Sequence, residues 1–379
     1  MRLVRYALLL CVCIPWLSAH AANRSDDDAP AVAGTWRGTI DGKNAWACFF
    51  RSSWGLSNKI NGAYFFDGAH KAVSLYSRDI TSVGDIGAAA MGVIPLIEDV
   101  EDDDTNKAMA PTWDLVVSSD RESLHVTRAT AGGLLPAVAK FKRVQKASAD
   151  QSEDDLDPIC DISFYKALLA DEPIDQSEDF VVGSNRFIKI KTSDDVIAFH
   201  ALDRLPMAER LNRHIDAWFS KWRIDHADCI VSQKYNSYSR VLKPIVVTEK
   251  FLVTEDEYAI ECGGWHGAYG AIYTTYSLSN GDPVDTRVWA KGTRDPKWGY
   301  YTFSQRVGEV VSRYAKWPDD LNDRCLVGTI EPPYPSPKGL VFPSSNGFAA
   351  KLCDTTVTVP WRAARSILTK EGRRALGIK

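Results

Sequence analysis

The sequence lacks a second long apolar run, a C-x-x-C cysteine pair and an excess of positive charge. Beyond residue 17 no apolar stretch is long enough to span a bilayer, so we expect a chain that is not membrane-spanning. The absence of any C-x-x-C pair disfavours a zinc site or a thioredoxin-like redox site. The 45 Lys and Arg residues are outnumbered by 49 Asp and Glu, which disfavours nucleic-acid binding.

The motifs of common enzyme classes are also missing. There is no G-x-S-x-G elbow, no H-E-x-x-H helix, no Walker A loop and no EF-hand spacing. Ser163 and Lys166 fit an S-x-x-K element, but no K-T-G follows to complete a penicillin-binding site. We therefore expect no enzymatic activity, no catalytic residue, no cofactor and no metal site.

Residues 1–21 have the layout of a secretory signal peptide. Arg2 and Arg5 form a basic start, Tyr6 to Leu17 is apolar, and Ala19-His20-Ala21 offers an A-x-A cleavage site. The mature protein is therefore expected in the periplasm or outside the cell. Losing the two arginines takes the formal net charge from −4 to −6.

Six cysteines remain after the signal peptide, an even number that in an exported chain predicts disulfides. Six cysteines allow fifteen pairings, which the sequence does not separate. We favour pairs that could lie on neighbouring strands, with the remaining pair joining two domains. These pairs are Cys325 with Cys353, Cys229 with Cys262, and Cys48 with Cys160.

The predicted fold class is α+β, with a small antiparallel β-barrel-like domain ahead of an α+β domain that has an antiparallel sheet and packed helices. The ranges are residues 22–31 for a disordered acidic leader, 32–145 for the barrel, 146–158 for an acidic linker, and 159–379 for the α+β domain.

The barrel prediction depends on Trp36, which lies between Gly34 and Gly38 at the start of an alternating segment, as is common in small barrels. Asp79 to Met91 is rich in glycine and alanine and is interpreted as a long loop interrupting the barrel. The other strand candidates are Ala45 to Arg51, Ile60 to Phe66, Ala72 to Arg78, Thr112 to Ser118, Ser123 to Thr127 and Ala139 to Arg143.

The second domain contains the clearest amphipathic helix, Met207 to Arg223, whose apolar residues recur at helical spacing. Asn280-Gly281 is a strong hairpin signal. Further helices are expected over Arg306 to Trp317 and Arg362 to Leu376. Strands are expected over Phe187 to Lys191, Val241 to Glu249, Lys250 to Thr254, Glu257 to Cys262, Ala271 to Leu278, Pro283 to Trp289, Arg324 to Ile330, Gly339 to Phe342 and Ala349 to Val359.

Short motifs in a set order give this domain a resemblance to a known family. The helix ending at Arg223 precedes strands that reach Glu261-Cys262 and the turn Gly263-Gly264-Trp265-His266-Gly267. Then follow Tyr276 to Asp282, Gly339 to Phe342 and Val357 to Trp361. In this order the segments resemble the extracytoplasmic domain of the lysozyme-sensing anti-sigma factors, over roughly residues 180–376. Trp265 departs from the small residue usual in that turn.

The resemblance implies a sheet-and-helix domain that binds a lysozyme-type protein. The expected function is a non-enzymatic exported protein that binds and inhibits, or gives immunity to, a basic cell-wall hydrolase such as a lysozyme. An acidic chain would be steered towards such a partner. The predicted partner-binding residues are Trp265, His266 and Tyr269.

Two alternatives stay open at this point. One is a cell-envelope enzyme acting on peptidoglycan or polysaccharide, with His266 and nearby acids as its site. The other is a small-ligand carrier that uses the barrel. Whether the barrel interior is hollow or filled tests the second alternative, because a carrier needs a hollow interior. A filled interior is the usual outcome for a small barrel. The predicted filling residues are Trp36, Trp46, Phe49 and Phe65.

Overall fold

A computed structural model gives the architecture of the chain. It describes residues 31–51, 60–77, 93–99, 110–130, 136–146, 160–192, 195–202, 207–232, 237–262, 267–297, 301–316, 327–345 and 353–378. The predicted signal peptide, most of the leader, the linker apart from Lys146, and the whole loop over Asp79 to Met91 lie outside these ranges. Among the described helices, none is both long and apolar enough to cross a bilayer.

Eight antiparallel strands form a closed barrel, which confirms the first half of the predicted fold class. Strand β1 pairs with both β2 and β8, so closure leaves the barrel without a free edge. The strands are β1 (Gly34–Ile40), β2 (Lys43–Arg51), β3 (Ile60–Phe66), β4 (Val73–Ser77), β5 (Ile94–Glu98), β6 (Thr112–Val117), β7 (Ser123–Ala129) and β8 (Ala137–Lys146).

Apolar side chains fill the barrel interior. Trp36 and Phe49 belong to this core together with Trp113 and Phe141, and each is at most 1% exposed. The indole of Trp36 donates to the carbonyl of Val32 at 2.8 Å. Alternation along the strands explains the packing, because every second residue points inward.

Two of the predicted filling residues lie elsewhere. Trp46 and Phe65 pack on the outer face of the barrel, where they contact the short helix α1 (Ile162–Leu168). Trp46 and Phe49 are an odd number of residues apart on β2, so they point to opposite faces. The sequence-based expectation that all four fill the interior is therefore wrong for this pair.

The disulfide Cys48–Cys160 holds α1 against the barrel, as predicted for an inter-domain link. Its Cα atoms are 6.0 Å apart, and both cysteines are buried. The ring of Phe164 packs edge-on against Phe65 at 5.1 Å. Helix α1 also contacts the long helix α2 (Ala208–Ser232), because the hydroxyl of Tyr165 donates to Asp228. The two domains thus share a packed apolar contact.

The second domain is built on a six-stranded sheet in the order β14-β13-β12-β11-β10-β9. Only β11 and β12 run parallel, and α2 connects them. The apolar face of α2 packs on this sheet through Leu211, Ile215 and Phe219. The strands are β9 (Asp175–Val182), β10 (Asn185–Lys191), β11 (Val196–Ala201), β12 (Ser237–Val247), β13 (Phe251–Glu261) and β14 (Ala268–Ser277).

A smaller C-terminal layer completes the domain, with its own core around Trp289, Phe342 and Val359. It begins with a 3-10 helix over Thr286–Trp289, where a strand had been predicted. The other elements are β15 (Gly292–Arg294), β16 (Tyr301–Phe303), α3 (Gln305–Tyr314), β17 (Thr329–Ile330), β18 (Tyr334–Ser336), β19 (Gly339–Ser345), β20 (Thr355–Pro360), α4 (Trp361–Ala364) and α5 (Lys370–Leu376).

Two helix predictions need correction. Helix α2 continues to Ser232 instead of ending at Arg223, because Ala227, Cys229 and Val231 keep facing apolar neighbours. The predicted final helix is two short helices, α4 and α5. It breaks because Thr369 caps the amide of Gly372.

The disulfide Cys229–Cys262 is also confirmed, with Cα atoms 5.1 Å apart, but its setting differs from the prediction. Cys229 lies on α2 and not on a strand, so this bond joins the helix to the end of β13. Cys353 is disulfide-bonded, and its predicted partner Cys325 lies outside the described residues.

Candidate binding surface

The predicted binding residues lie in the connection between β13 and β14 and at the start of β14. Trp265 and His266 lie outside the described residues. Tyr269 is the second residue of β14, and 42% of its surface is exposed. Its ring lies over Gly267, where an added β-carbon would come within 2.6 Å of the tyrosine hydroxyl. The cysteine bridge from Cys262 to α2 anchors the preceding end of this connection.

An acidic patch lies beside Tyr269 on the same face of the sheet. The register pairs Ala259 with Tyr269 and Glu257 with Ala271. Glu257 and Glu261 are both exposed, and period-two alternation puts them with Glu255 on this face. We call the set Glu255, Glu257, Glu261, Tyr269 and Tyr273 the acidic–tyrosine patch.

One lysine partly offsets the patch's negative charge. Lys243 on β12 forms ion pairs with Glu255 at 3.0 Å and Glu257 at 2.9 Å. Hydrogen bonding to Glu257, followed by that to Glu255, raises the pKa of this lysine. Three carboxylates against one ammonium leave the patch net negative, which favours a cationic partner.

Tyr273 joins this patch to the C-terminal layer. Its hydroxyl donates to Glu255 at 2.8 Å, and its ring stacks on Tyr334 with centroids 5.0 Å apart. Burial, then the hydrogen bond to Glu255, raises the pKa of Tyr273 well above its ordinary value. The phenol therefore stays neutral and donating at physiological pH.

A buried charge pair supports the patch from the helix side of the sheet. Arg240 donates to both oxygens of Asp256, at 2.9 and 2.7 Å, and both residues are buried. The guanidinium lies against the ring of Trp222, and Trp218 donates to Asp256 at 2.9 Å. Tyr258 lies across Gly270, where a β-carbon would meet its hydroxyl at 2.7 Å.

Sequence reasoning identified Tyr269 but missed the glutamates and the arginine pair. The run Thr254 to Glu261 contains four acids, and this was the available signal. The face that each acid occupies becomes clear only from the pairing of β13 with its neighbours. That pairing places Asp256 against Arg240 on the inner face and the glutamates on the outer face. For the alternative S-x-x-K reading, the hydroxyl of Ser163 is buried in α1 and makes no hydrogen bond.

No protein-family model matches the sequence, and no curated protein matches it either. Among solved structures, a DUF3298 family protein from Pseudomonas aeruginosa PAO1 has a TM-score of 0.34 at 8% sequence identity, covering 52% of this chain and 95% of that one.

A DUF3298 family member from Bacteroides fragilis NCTC 9343 has a TM-score of 0.32 at 11% identity, covering 55% of this chain and 98% of that one. These structural neighbours are thus members of a family without an assigned role. Structural similarity at this level does not indicate a partner for this chain.

Proposed function

We propose that this chain is a non-enzymatic exported protein that binds a basic, lysozyme-type peptidoglycan hydrolase and inhibits it or gives immunity to it. The observation that carries the proposal is the acidic–tyrosine patch. It presents carboxylates and aromatic rings together at the hairpin end where Tyr269 lies. Aromatic side chains are enriched at protein interfaces, and complementary charge speeds association.

Two further features support a protein partner. The resemblance of residues 180–376 to lysozyme-sensing domains names the class of partner. The disulfides Cys48–Cys160 and Cys229–Cys262 fit an oxidising compartment outside the cytoplasm, where such hydrolases act. The filled barrel interior, in contrast, argues against the alternative of a small-ligand carrier.

The test is to measure binding of the mature protein to a panel of basic lysozymes and other peptidoglycan hydrolases, together with their lytic activity. We expect a complex whose association rate falls as salt is raised, because salt screens the exposed carboxylates. Loss of lytic activity should accompany complex formation.

A charge variant ties the effect to the patch. Glu257→Gln with Glu261→Gln removes two exposed charges and should slow association. Glu209→Gln with Glu309→Gln removes two exposed charges on helices α2 and α3 and is the matched control. Binding to no member of the panel, or equal slowing by both pairs, would argue against the proposal.

A further inference from the structure

The last described segment, residues 361–378, carries a concentration of positive charge. Five cations and one acid give it a formal charge of +4, whereas the whole chain has −4. All five cations are exposed, and none forms an ion pair within the part of the chain that the structure describes. We call these five side chains the C-terminal basic surface: Arg362, Arg365, Lys370, Arg373 and Arg374. The one acid is Glu371.

Two lysines from elsewhere in the chain lie against this segment. Lys250 precedes β13, and its Nζ donates to the carbonyl of Ala375 at 3.4 Å. Lys291 precedes β15, and its Nζ donates to the carbonyl of Ser366 at 2.8 Å. Both lysines are exposed, and neither forms an ion pair with a described residue. The fold therefore brings further positive charge to α4 and α5.

The packing of α5 shows which of its side chains face solvent. Gly372 lies against Trp289, where an added β-carbon would come within 2.7 Å of the tryptophan Cα. Lys370 and Arg374 lie two residues before and two residues after Gly372. Because each residue turns the helix by about 100°, both project from the side opposite to the core. Two cations one helical turn apart therefore point away from the protein.

Helix stability explains only part of this pattern. Cations in the last turn of a helix are favourable, which accounts for Arg373 and Arg374 in α5. Lys370 is the first residue of α5, where a positive charge opposes the helix dipole. Its charge therefore does not stabilise the helix, and a role at the surface explains its position better.

The chemistry of the C-terminal basic surface favours an array of phosphates. Among the described residues, every large hydrophobic side chain that is exposed precedes residue 273, so this surface has no exposed apolar anchor for a protein partner. Its cations all stand in solvent, whereas a site for one small anion is concave and buries its ligand. Clustered, exposed Lys and Arg side chains are typical of segments that bind anionic lipid headgroups.

We propose that the C-terminal basic surface binds the phosphate headgroups of an anionic membrane and holds the protein against the lipid. The inference goes beyond the proposed function, because it concerns where the protein lies and not which hydrolase it binds. The rest of the chain is net negative, so an anionic membrane repels it. Attraction at one surface and repulsion elsewhere favour a single orientation, with α4 and α5 towards the membrane.

The first experiment measures co-sedimentation of the mature protein with vesicles of equimolar phosphatidylcholine and phosphatidylglycerol, and with vesicles of phosphatidylcholine alone. We expect binding to the anionic vesicles only. That binding should weaken as sodium chloride is added, because salt screens exposed charges. Binding to neither kind of vesicle, or equal binding to both, would overturn the proposal. No hydrolase is present, so the result is independent of the proposed function.

The second experiment ties binding to α5. Lys370→Gln with Arg374→Gln removes two outward cations and keeps good helix formers. Each cation near an anionic surface contributes about fivefold in affinity, so this pair should weaken vesicle binding about 25-fold. Lys140→Gln with Lys142→Gln removes two exposed cations of β8 and is the matched control, which should bind like the wild type. Equal weakening by both pairs would show a response to net charge alone and would refute the assignment to α5.

A competition experiment separates lipid phosphate from free phosphate. Inorganic phosphate is added to the wild-type protein on anionic vesicles, and sodium chloride at the same ionic strength is added to a second sample. We expect equal release, because exposed cations respond to ionic strength and not to the kind of anion. Greater release by inorganic phosphate would mean that the surface holds a free phosphate, and the membrane would then be the wrong partner.

Discussion

The ion pair between Arg240 and Asp256 allows a quantitative test of how α2 is held on the sheet. Arg240 is 4% exposed and Asp256 is 6% exposed, and two hydrogen bonds join them. Trp222 covers the guanidinium, and Trp218 supplies one further donor to the carboxylate. Both carboxylate oxygens of Asp256, and the Nε and Nη2 atoms of Arg240, therefore have hydrogen-bond partners within the protein.

Removing either partner alone leaves a buried charge without its counter-ion. Arg240→Met or Asp256→Leu should each lower the free energy of unfolding by about 3–5 kcal/mol. The double variant removes both charges and leaves only the indole of Trp218 without an acceptor. It should cost about 1–3 kcal/mol, the desolvation penalty of one unsatisfied donor. The sum of the two single losses should therefore exceed the loss in the double variant by several kcal/mol.

The assay is urea unfolding of all four proteins with the disulfides intact, followed by tryptophan fluorescence, with slopes compared as well as midpoints. Trp218 and Trp222 lie at the substituted pair and report on it directly. Additive effects, or single variants within 1 kcal/mol of the wild type, would refute the reasoning. Additivity would mean that the two side chains do not act as a unit.

Three further predictions concern the barrel, its link to the second domain, and the C-terminal layer. Cys48→Ala with Cys160→Ala should lower the free energy of unfolding by about 4.8 kcal/mol in the loop-entropy model for a separation of 112 residues; a loss below 1 kcal/mol in urea unfolding would contradict that model. Gly38→Ala should lower the free energy of unfolding by about 1–3 kcal/mol, seen as a lower thermal midpoint, because a β-carbon would lie 2.1 Å from the carbonyl oxygen of Lys140 and 2.7 Å from the Cα of Phe141; an unchanged midpoint would show that the strands can separate at no cost. Burial, followed by repulsion from a nearby glutamate, raises the pKa of Tyr334 to about 12. Its contribution to stability is therefore complete below pH 10 and is lost as the pH rises towards 12. The difference in tyrosinate absorbance between the wild type and Tyr334→Phe, followed against pH, would reveal the raised pKa.

Strands with one buried face were predictable from the sequence. The barrel strands alternate between interior and exterior, and β1, β2, β3, β6, β7 and β8 match predicted segments to within a few residues. Strand β5 was missed because Pro95 interrupts its pattern next to an acidic run. Strands β9 and β11 were missed for opposite reasons, since β9 is rich in acids and β11 is mostly buried without alternation.

The candidate site was predictable only in part. Tyr269 was identified beside a glycine-rich turn, and it does lie at an exposed hairpin end. The glutamates of the acidic–tyrosine patch were not identified, although a strand was predicted over Glu257 to Cys262, because the sequence did not show which face of that strand each acid occupies. Which acids face outward depends on how β13 pairs with β12 and β14, and that pairing joins residues far apart in the chain.

The sequence by itself determined the α+β class, the antiparallel barrel, the cysteines available for pairing and the negative balance of charge. Each follows from composition or from a repeat over a few neighbouring residues. Only the tertiary structure decided that Asp256 turns inward to Arg240 while Glu257 turns outward. Only it showed that β14 lies at the end of the six-stranded sheet. The reason is physical: the strand order and the face to which a residue turns depend on which distant segments pair, and local propensity has no information about that.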